Sequence, residues 1–428
     1  MKAYPTGVEN HGGTLRIWFL FQGKRVRENL GIPDTPKNRK AAGELRTSVC
    51  YEIKTGNFSY EKRFPNSRNV TINAARENIT VNDIIKKWLN LKEMEVSKGT
   101  LYRYTSHCGV TASYLNPERK INEIRQEDIL LARKRMLTEP QQPKIHEKRK
   151  SVRQGRAVPT VNSYMFCMRA IFDFAVSNGY IANNPFEGVS PLKKQRPAPD
   201  PLTKEEYQRV IVSCPTQQMR NMITLAINTG LRHGELYALA WEDLDTQNWT
   251  ISISRNLSLK EHFTLPKTDA GMRTIQLTTV AIEAIKSQMA LTRLSNAHRV
   301  TVNLREYGKK RTDDCTFIFS PRITSRNGSS ADWYSPGAFN GAWKTILRKA
   351  GVKHRKSYET RHTFACWALS CGANPNFVAH QMGHSSAQML YNVYGKWMTE
   401  NNDHQVNILN ASFSQNAPQV PHEQIINI

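Results

Sequence analysis

The chain has 428 residues, too many for one ordinary hydrophobic core, and its length predicts about three domains. It carries 60 Lys and Arg residues against 36 Asp and Glu residues, a net charge of +24, which favours a nucleic acid partner over an anionic membrane. A hydrophobic fraction of 39% excludes a disordered chain, and no run of about 20 apolar residues is present to span a membrane.

The first 65 residues predict a small basic unit. Residues 14–30 alternate apolar and polar side chains around a Gln-Gly-Lys turn, which is typical of a β-hairpin, and Pro36 opens a helix that ends near Gly56. We interpret this ββα-like unit, residues 1–65, as an arm-type DNA-binding domain, although a capping subdomain would show the same pattern. Three basic residues gather at the hairpin tip and are the predicted DNA contacts: Lys24, Arg25 and Arg27.

Residues 78–190 show helical periodicity throughout. Four segments have this pattern and predict a four-helix, core-binding domain: 81–94, 98–115, 126–137 and 160–179. A basic stretch without apolar periodicity lies between the last two helices, and it suits either a solvated loop or a loop that follows DNA phosphates. Its predicted DNA contacts are Lys148, Arg149, Lys150 and Arg153.

The C-terminal half begins after a proline-rich linker, residues 191–202. Residues 203–400 predict a mixed helical domain with one short antiparallel meander, and the fold class of the whole chain is therefore mainly α with small β-sheets (α+β). The meander is predicted from residues 250–255, 261–267 and 273–277, with helices predominating after it. The tail, residues 401–428, contains two acids and no Lys or Arg, so we interpret it as a contact with another protomer.

Three segments of the C-terminal half contain candidate catalytic residues. LAINTGLRHGEL places Arg232 on a turn where one helix ends, and TLPKTDAGMRTIQL places Lys267 at the entrance of a predicted turn between two strands. The third segment runs from Ser357 to Trp397 and contains Arg361, His384 and two tyrosines. Either basic residue alone is a weak signal, because most such side chains pair with neighbours or face solvent.

Together these segments resemble the catalytic domain of the tyrosine recombinases, specifically the phage-type integrases. TGLRHGEL resembles the family's first arginine box, LPKTDAGMRTIQL its β-hairpin lysine, and TRHTFA, MGH and VYGKW its second box. They occur in the family's order. The two N-terminal regions also resemble the arm-binding and core-binding domains of long integrases, so the resemblance covers nearly the whole chain before residue 400.

The resemblance implies a role for each matching residue. Arg232 and Arg361 would hold the scissile phosphate, and His384 would support it. Lys267 would protonate the leaving 5′ oxygen, and Tyr394 would attack the phosphorus. Tyr394 is favoured over its neighbour because it lies ten residues after His384 and within the motif NVYGKW.

Three other residues compete for roles or depart from the family pattern. Tyr391 is the alternative nucleophile, three residues before the favoured one. Tyr358 stands where the family often has histidine, and a phenol with a pKa of about 10 can donate to a phosphate oxygen but is a poor base. His362 is expected to point elsewhere on its helix and to take no part.

These residue types suit strand exchange without a cofactor. Two guanidinium groups and an imidazole can neutralise a phosphate transition state without a metal ion, and a phosphotyrosyl link conserves the phosphodiester energy without ATP. The spacing of Cys366, Cys371, His380 and His384 departs from that of a zinc finger. We therefore expect no cofactor and no metal. A non-catalytic DNA-binding regulator and a type IB topoisomerase are the alternative functions.

The expected partners are double-stranded DNA attachment sites and three further copies of the chain in a tetramer. An excisionase and a host DNA-bending protein are further partners that the resemblance implies. The expected location is the cytoplasm of a bacterial host, in association with the nucleoid, because residues 1–13 lack the apolar segment of a signal peptide.

Overall fold

The computed structural model describes residues 4–21, 23–67, 69, 78–141, 153–195, 198–258, 262–323, 331–399 and 402–414. The chain forms two compact units, the N-terminal unit Met1–Gln195 and the C-terminal unit Arg196–Ile428. Both are rich in helix and contain only small sheets, which confirms the predicted fold class. Among the described residues, no helix combines the length and the apolar character that crossing a membrane requires.

The N-terminal unit begins with an antiparallel sheet in the order β1-β2-β3 and two helices. Their bounds are β1 Val8–His11, β2 Thr14–Phe21, β3 Lys24–Pro33, α1 Pro36–Thr55 and α2 Tyr60–Arg63. The predicted hairpin and the long helix are confirmed, and Gly56 ends α1 in the left-handed conformation. The ββα description misses β1, because the segment VENH has one apolar residue and no alternation. Pairing with β2 makes it a strand.

The two faces of this sheet differ in chemistry. Leu15, Ile17 and Phe19 alternate along β2 and are fully buried on the side of the sheet that forms the core. The opposite face carries basic and aromatic side chains, and the guanidinium of Arg25 lies 3.6 Å from the ring centroid of Trp18. This second face is basic, although Glu9 pairs with Arg16 and lies 4.0 Å from Arg27.

Four longer helices follow, close to their predicted positions. They are α3 Val81–Lys92, α4 Lys98–Leu115, α5 Gln126–Thr138 and α6 Val158–Ser177. Thr80 and Asp83 form a capping box that begins α3, which explains why the first helix starts there. The helices share one core, in which Trp88 and Phe172 are buried.

We predict that Phe172→Ala destabilises this helical core by about 3–5 kcal/mol, because it removes a fully buried ring from α6. Phe166 lies on the same helix but is 70% exposed, so Phe166→Ala should change stability by less than about 0.5 kcal/mol. Hydrogen exchange of the full chain, followed in peptides from α3, α4 and α6, measures the difference. Equal exchange in the two variants would contradict the assignment of the core.

The C-terminal unit contains ten helices within the described residues. They are α7 Lys204–Val212, α8 Gln217–Thr229, α9 His233–Tyr237, α10 Thr279–Thr292, α11 Pro336–Lys349, α12 Glu359–Ser370, α13 Pro375–Met382, α14 Gln388–Tyr394, α15 Lys396–Thr399 and α16 Asn402–Ser414. The strands are β4 Leu244–Asp245, β5 Thr250–Ile253, β6 Asn256–Leu257, β7 Phe263–Thr264, β8 Arg273–Gln276, β9 His298–Asn303 and β10 Lys310–Cys315.

The predicted single meander is wrong. Two sheets form instead, in the orders β4-β5-β8 and β10-β9-β7-β6. Strand β5 pairs directly with β8, whereas β7 pairs with β6 and runs parallel to β9. The segment between β7 and β8 is therefore not the tip of a hairpin, and a 3₁₀ turn, Asp269–Gly271, lies within it.

Strands β9 and β10 were not predicted. Strand β10 reads KRTDDC and lacks the apolar alternation of a half-buried strand. It is an edge strand whose charged side chains pair across the sheet and within the strand. Arg299 of β9 lies 2.9 Å from Asp314, and Arg311 lies 2.7 Å from Asp313. The Arg299–Asp314 pair lies on the exposed face of the strand, whereas Asp313 faces inward and also pairs with the buried Arg255.

Candidate active site

The guanidinium of Arg361 lies buried in the C-terminal unit, on the first turn of α12. Its side chain has three partners: Nη1 donates to Gly230 O at 2.6 Å, and Nη2 donates to Met382 O and to His384 Nε2, both at 2.7 Å. Arg361 is only 1% exposed, and burial lowers its pKa to about 10, so it stays protonated near neutrality. The side chain is therefore a fixed positive charge.

His384 follows α13 and is a neutral donor in this arrangement. Because arginine has no acceptor, the short contact with Arg361 makes Nε2 of His384 the acceptor, and the ring proton then lies on Nδ1. Burial, together with the charges of Arg361, Arg232 and Arg273, lowers the pKa of His384 to about 4. Nδ1 is buried without a hydrogen-bond partner among the residues described, so its N–H is not engaged by those residues.

Arg232 lies on the turn between α8 and α9. Gly230 ends α8 with a φ of +64°, and a Cβ there would lie 2.3 Å from the ring of Phe364, so this turn requires glycine. Arg232 Nη1 donates to Glu235 Oε1 at 2.8 Å, and Nη2 donates to Gly383 O at 2.9 Å. Both arginines thus donate to the turn at residues 382–383, and each retains N–H groups that these hydrogen bonds do not use.

Glu235 holds the first arginine in place and was not predicted as a site residue. Its carboxylate is 1% exposed and lies between Arg232 and Arg273, whose Nη2 is 3.0 Å from Glu235 Oε2. Burial acts to raise the pKa of Glu235, but the two arginines outweigh it and lower the pKa. The spacing of Arg232 and Glu235 in the sequence indicates their pairing, whereas Arg273 is distant in sequence and gives no such signal.

Lys267 lies on the segment between β7 and β8 and is exposed. Within the part of the chain that the structure describes, its ammonium group makes no ion pair. This segment approaches the first arginine, because a Cβ added at Gly271 would lie 2.7 Å from Pro266 and 3.8 Å from Arg232 Nη1. Arg305 Nη2 also donates to Pro266 O at 3.3 Å, which holds the segment in place.

Tyr394 and Tyr391 occupy different environments on α14. Tyr394 is 2% exposed and packs against Trp397, whereas Tyr391 is 48% exposed. The hydroxyl of Tyr394 lies 2.6 Å from His362 Nδ1, so the expectation that His362 points elsewhere on its helix is wrong. Consecutive residues on a helix point about 100° apart. Arg361 contacts His384, and the adjacent His362 can still contact Tyr394 because α14 packs against α12.

Tyr358 is half exposed beside this pair. Its ring lies edge-on to the ring of His362, with centroids 5.3 Å apart, and 6.0 Å from the ring of His233. Burial raises the pKa of Tyr394, and the positive charge of Arg361 opposes that rise. The structure thus brings Arg361, His384, Tyr358 and Tyr394 together around the start of α12, which the sequence order alone did not show.

The predicted DNA contacts lie outside this unit. Arg25, Arg27 and Arg153 are exposed. Lys24 lies in β3, and the predicted contacts at positions 148–150 fall outside the described residues. Among the residues described, no three His, Cys, Asp or Glu side chains are grouped so as to hold a metal ion.

We predict that Glu235→Gln destabilises the C-terminal unit by about 3–5 kcal/mol, because it leaves the buried guanidinium of Arg273 without its counter-charge. The folded-state pKa of Glu235 lies below its ordinary value of 4.5, so the stabilisation exists above that value and is lost as the pH falls through the folded pKa. Urea unfolding at several pH values should show the wild-type advantage shrinking below about pH 4.5.

The matched control is Glu283→Gln. Glu283 pairs with Lys286 at 3.0 Å, and its side chain is 64% exposed. That surface change should alter the free energy of unfolding by less than about 1 kcal/mol. A pH-independent difference between wild type and Glu235→Gln would contradict the charged state assigned to Glu235.

Known proteins share both the sequence and the architecture of this chain. The model of the phage integrase family matches residues 201–400, and the model of the Arm DNA-binding domain matches residues 5–68. The putative defective protein IntQ of Escherichia coli (strain K12) is 46% identical over 396 residues, which are 92% of this chain and 99% of that protein. The prophage integrase IntR of the same strain is 39% identical over 416 residues, which are 97% and 100% of the two chains.

The fold has a counterpart among solved structures. The lambda integrase, in the crystal structure of its tetramer bound to a Holliday junction, superimposes with a TM-score of 0.54 at 15% identity and covers 90% of this chain and 97% of that one. At 15% identity the likeness shows the fold alone. The family is shown by IntQ and IntR, which are 46% and 39% identical to this chain over nearly its whole length. The chain belongs to the phage integrase family and is a tyrosine site-specific recombinase.

Proposed function

We propose that this chain integrates a prophage or related mobile element at a DNA attachment site, and also excises it, with Tyr394 as the nucleophile. The observation that carries the proposal is the convergence of Arg361, Arg232 and His384 at the turn of residues 382–384. Two guanidinium groups and one imidazole, all held in fixed positions by these hydrogen bonds, suit the non-bridging oxygens of one phosphodiester.

The chemistry follows from the charges of these residues. The oxygen of Tyr394 attacks the phosphorus in line, the P–O5′ bond breaks, and the 3′ phosphate becomes covalently linked to the tyrosine. Arg232 and Arg361 offset the charge that develops on the phosphate, and His384 donates from Nδ1. Lys267 supplies the proton that the leaving 5′ oxygen needs, from a segment next to Arg232.

The reverse reaction rejoins the strands. A 5′ hydroxyl from the partner strand attacks the phosphotyrosyl link, and the tyrosine leaves. Because one phosphoester replaces another in each step, the reaction needs no external energy source. Tyr358 is proposed to donate a hydrogen bond to the same phosphate, because its phenol is half exposed beside α12, and a phenol is a poor base near neutrality.

The N-terminal unit is proposed to hold DNA away from the cleavage point. The exposed sheet face with Arg25 and Arg27 suits outlying arm sites, with Lys24 as a further predicted contact. The four-helix region with Arg153 suits the core site, with Lys148 to Lys150 as further predicted contacts. Both regions are rich in Lys and Arg, so binding should weaken steeply as salt is raised.

A tetramer on two recombining sites is the proposed assembly, as in the lambda integrase complex with a Holliday junction. The tail is the proposed protomer contact, because α16 exposes three apolar residues at positions 406, 409 and 413, which share one face of the helix. An excisionase and a host DNA-bending protein are proposed as further partners at the bacterial nucleoid.

We predict that the wild-type chain forms an SDS-resistant covalent adduct on a nicked attachment site, and that Tyr394→Phe abolishes it. Tyr391→Phe is the matched control on the same helix and should retain the adduct, because Tyr391 is exposed and not bonded to His362. Gel electrophoresis of end-labelled DNA measures both. An adduct in Tyr394→Phe would refute the nucleophile assignment, and no adduct in the wild type on its own site would favour a non-catalytic regulator.

We predict that replacing Val406, Leu409 and Phe413 by Ser weakens tetramer formation on DNA at least tenfold, since burying three such side chains is worth several kcal/mol (about 1.5–3 kcal/mol each). Cleavage of a single half-site by the monomer should change less than twofold. Asn407→Ser on the same helix is the control. Native gels report assembly, and a loss of monomer cleavage with intact assembly would contradict the role of the tail.

A further inference from the structure

His362 contacts the attacking atom of the proposed mechanism and has no role in it. Its Nδ1 lies 2.6 Å from the hydroxyl of Tyr394, and the two ring centroids are 5.7 Å apart at an angle of 53°. Tyr394 is 2% exposed, so water has little access to its side chain. Deprotonation of this phenol therefore depends on a neighbouring side chain.

The groups around His362 decide the direction of this hydrogen bond. Burial and the charge of Arg361 lower the pKa of His362, while Glu359 opposes them. The ring of Tyr358 packs edge-on against it from the start of α12. The imidazole is therefore neutral near neutrality, and the phenol of Tyr394, whose pKa burial raises, donates to Nδ1.

The site's cations, His384 and Tyr358 are poorly suited to accept this proton. Arg232, Arg361 and Lys267 are side chains that donate hydrogen bonds and offer no acceptor. The acceptor nitrogen of His384 is engaged by Arg361 at 2.7 Å. Tyr358 is itself a phenol, with no advantage in basicity over the nucleophile.

We propose that His362 is the general base for the nucleophile, accepting the phenolic proton of Tyr394 on Nδ1 as the tyrosyl oxygen bonds to phosphorus. The P–O5′ bond breaks in the same step, and the leaving 5′ oxygen takes a different proton, from Lys267. In rejoining, His362 returns its proton to the departing tyrosyl oxygen, and the attacking 5′ hydroxyl returns one to Lys267. The inference rests on the proposed nucleophile, Tyr394.

The first experiment compares cleavage rates of His362→Asn and wild type on a nicked attachment site under single-turnover conditions. The Asn side chain offers an oxygen in place of Nδ1 but cannot take up the proton, so the rate should fall about 10²-fold or more. His362→Ala is the second variant, and His380→Gln, an exposed histidine on α13, is the control. Circular dichroism and DNA binding establish that the variants fold.

The pH profile separates a base from a merely structural residue. The wild-type rate should be level at neutral and alkaline pH and fall in acid as Nδ1 becomes protonated. In His362→Asn the rate should rise about tenfold per pH unit through the neutral range, because only the tyrosinate fraction then reacts. Wild-type rates in His362→Asn, or an unchanged profile, would overturn the proposal.

A modified substrate distinguishes the role of His362 as base from that of Lys267 as acid. A 5′-bridging phosphorothiolate carries a sulfur leaving group of low pKa that needs no proton from the enzyme. It should restore cleavage to Lys267→Ala but not to His362→Asn, and equal restoration of both would refute the role of His362. An adduct that persists in Tyr394→Phe would instead refute the nucleophile, and with it both proposals.

Discussion

The active site depends on the burial of one positive charge, the guanidinium of Arg361. A charge that is 1% exposed is costly unless hydrogen bonds compensate it, and its three acceptors come from the end of α8, the end of α13 and His384. These acceptors are backbone carbonyls and a neutral ring, which add no negative charge. The site therefore keeps a positive potential for phosphate and holds three chain segments in one geometry.

A second constraint follows from the first, because Arg232 and Arg273 lie close to the same turn. Three neighbouring cations would repel one another, and the buried carboxylate of Glu235 reduces this repulsion by pairing with both Arg232 and Arg273. Glu235 thereby orients Arg232 without occupying all of its N–H groups. Burial and the same positive charges keep His384 neutral, since protonation would add a buried charge beside Arg361.

Much of the fold was predictable where local signals act alone. Helices α1 and α3 to α6 carry capping residues and apolar periodicity within their own segments, and their predicted bounds agree with the structure to within a few residues. The sheets were not predictable in this way. Strand β10 is charged and β1 has one apolar residue, and both become strands by pairing with the neighbouring strand of the chain, which their own residues do not indicate. The predicted meander failed because β5 pairs with β8 and β7 with β9, strands that are not consecutive in the chain.

The sequence by itself determined the helices, the basic character of the chain and the ordered set of Arg232, Lys267, Arg361, His384 and Tyr394. These properties reside in single residues or short segments. Only the tertiary structure decided that Glu235 lies between two arginines and that His362, adjacent to Arg361, touches Tyr394. The contacts of Glu235 with Arg273 and of His362 with Tyr394 join residues far apart in the chain, so tertiary packing rather than a local pattern sets their distances. For the second contact this is the packing of α14 against α12.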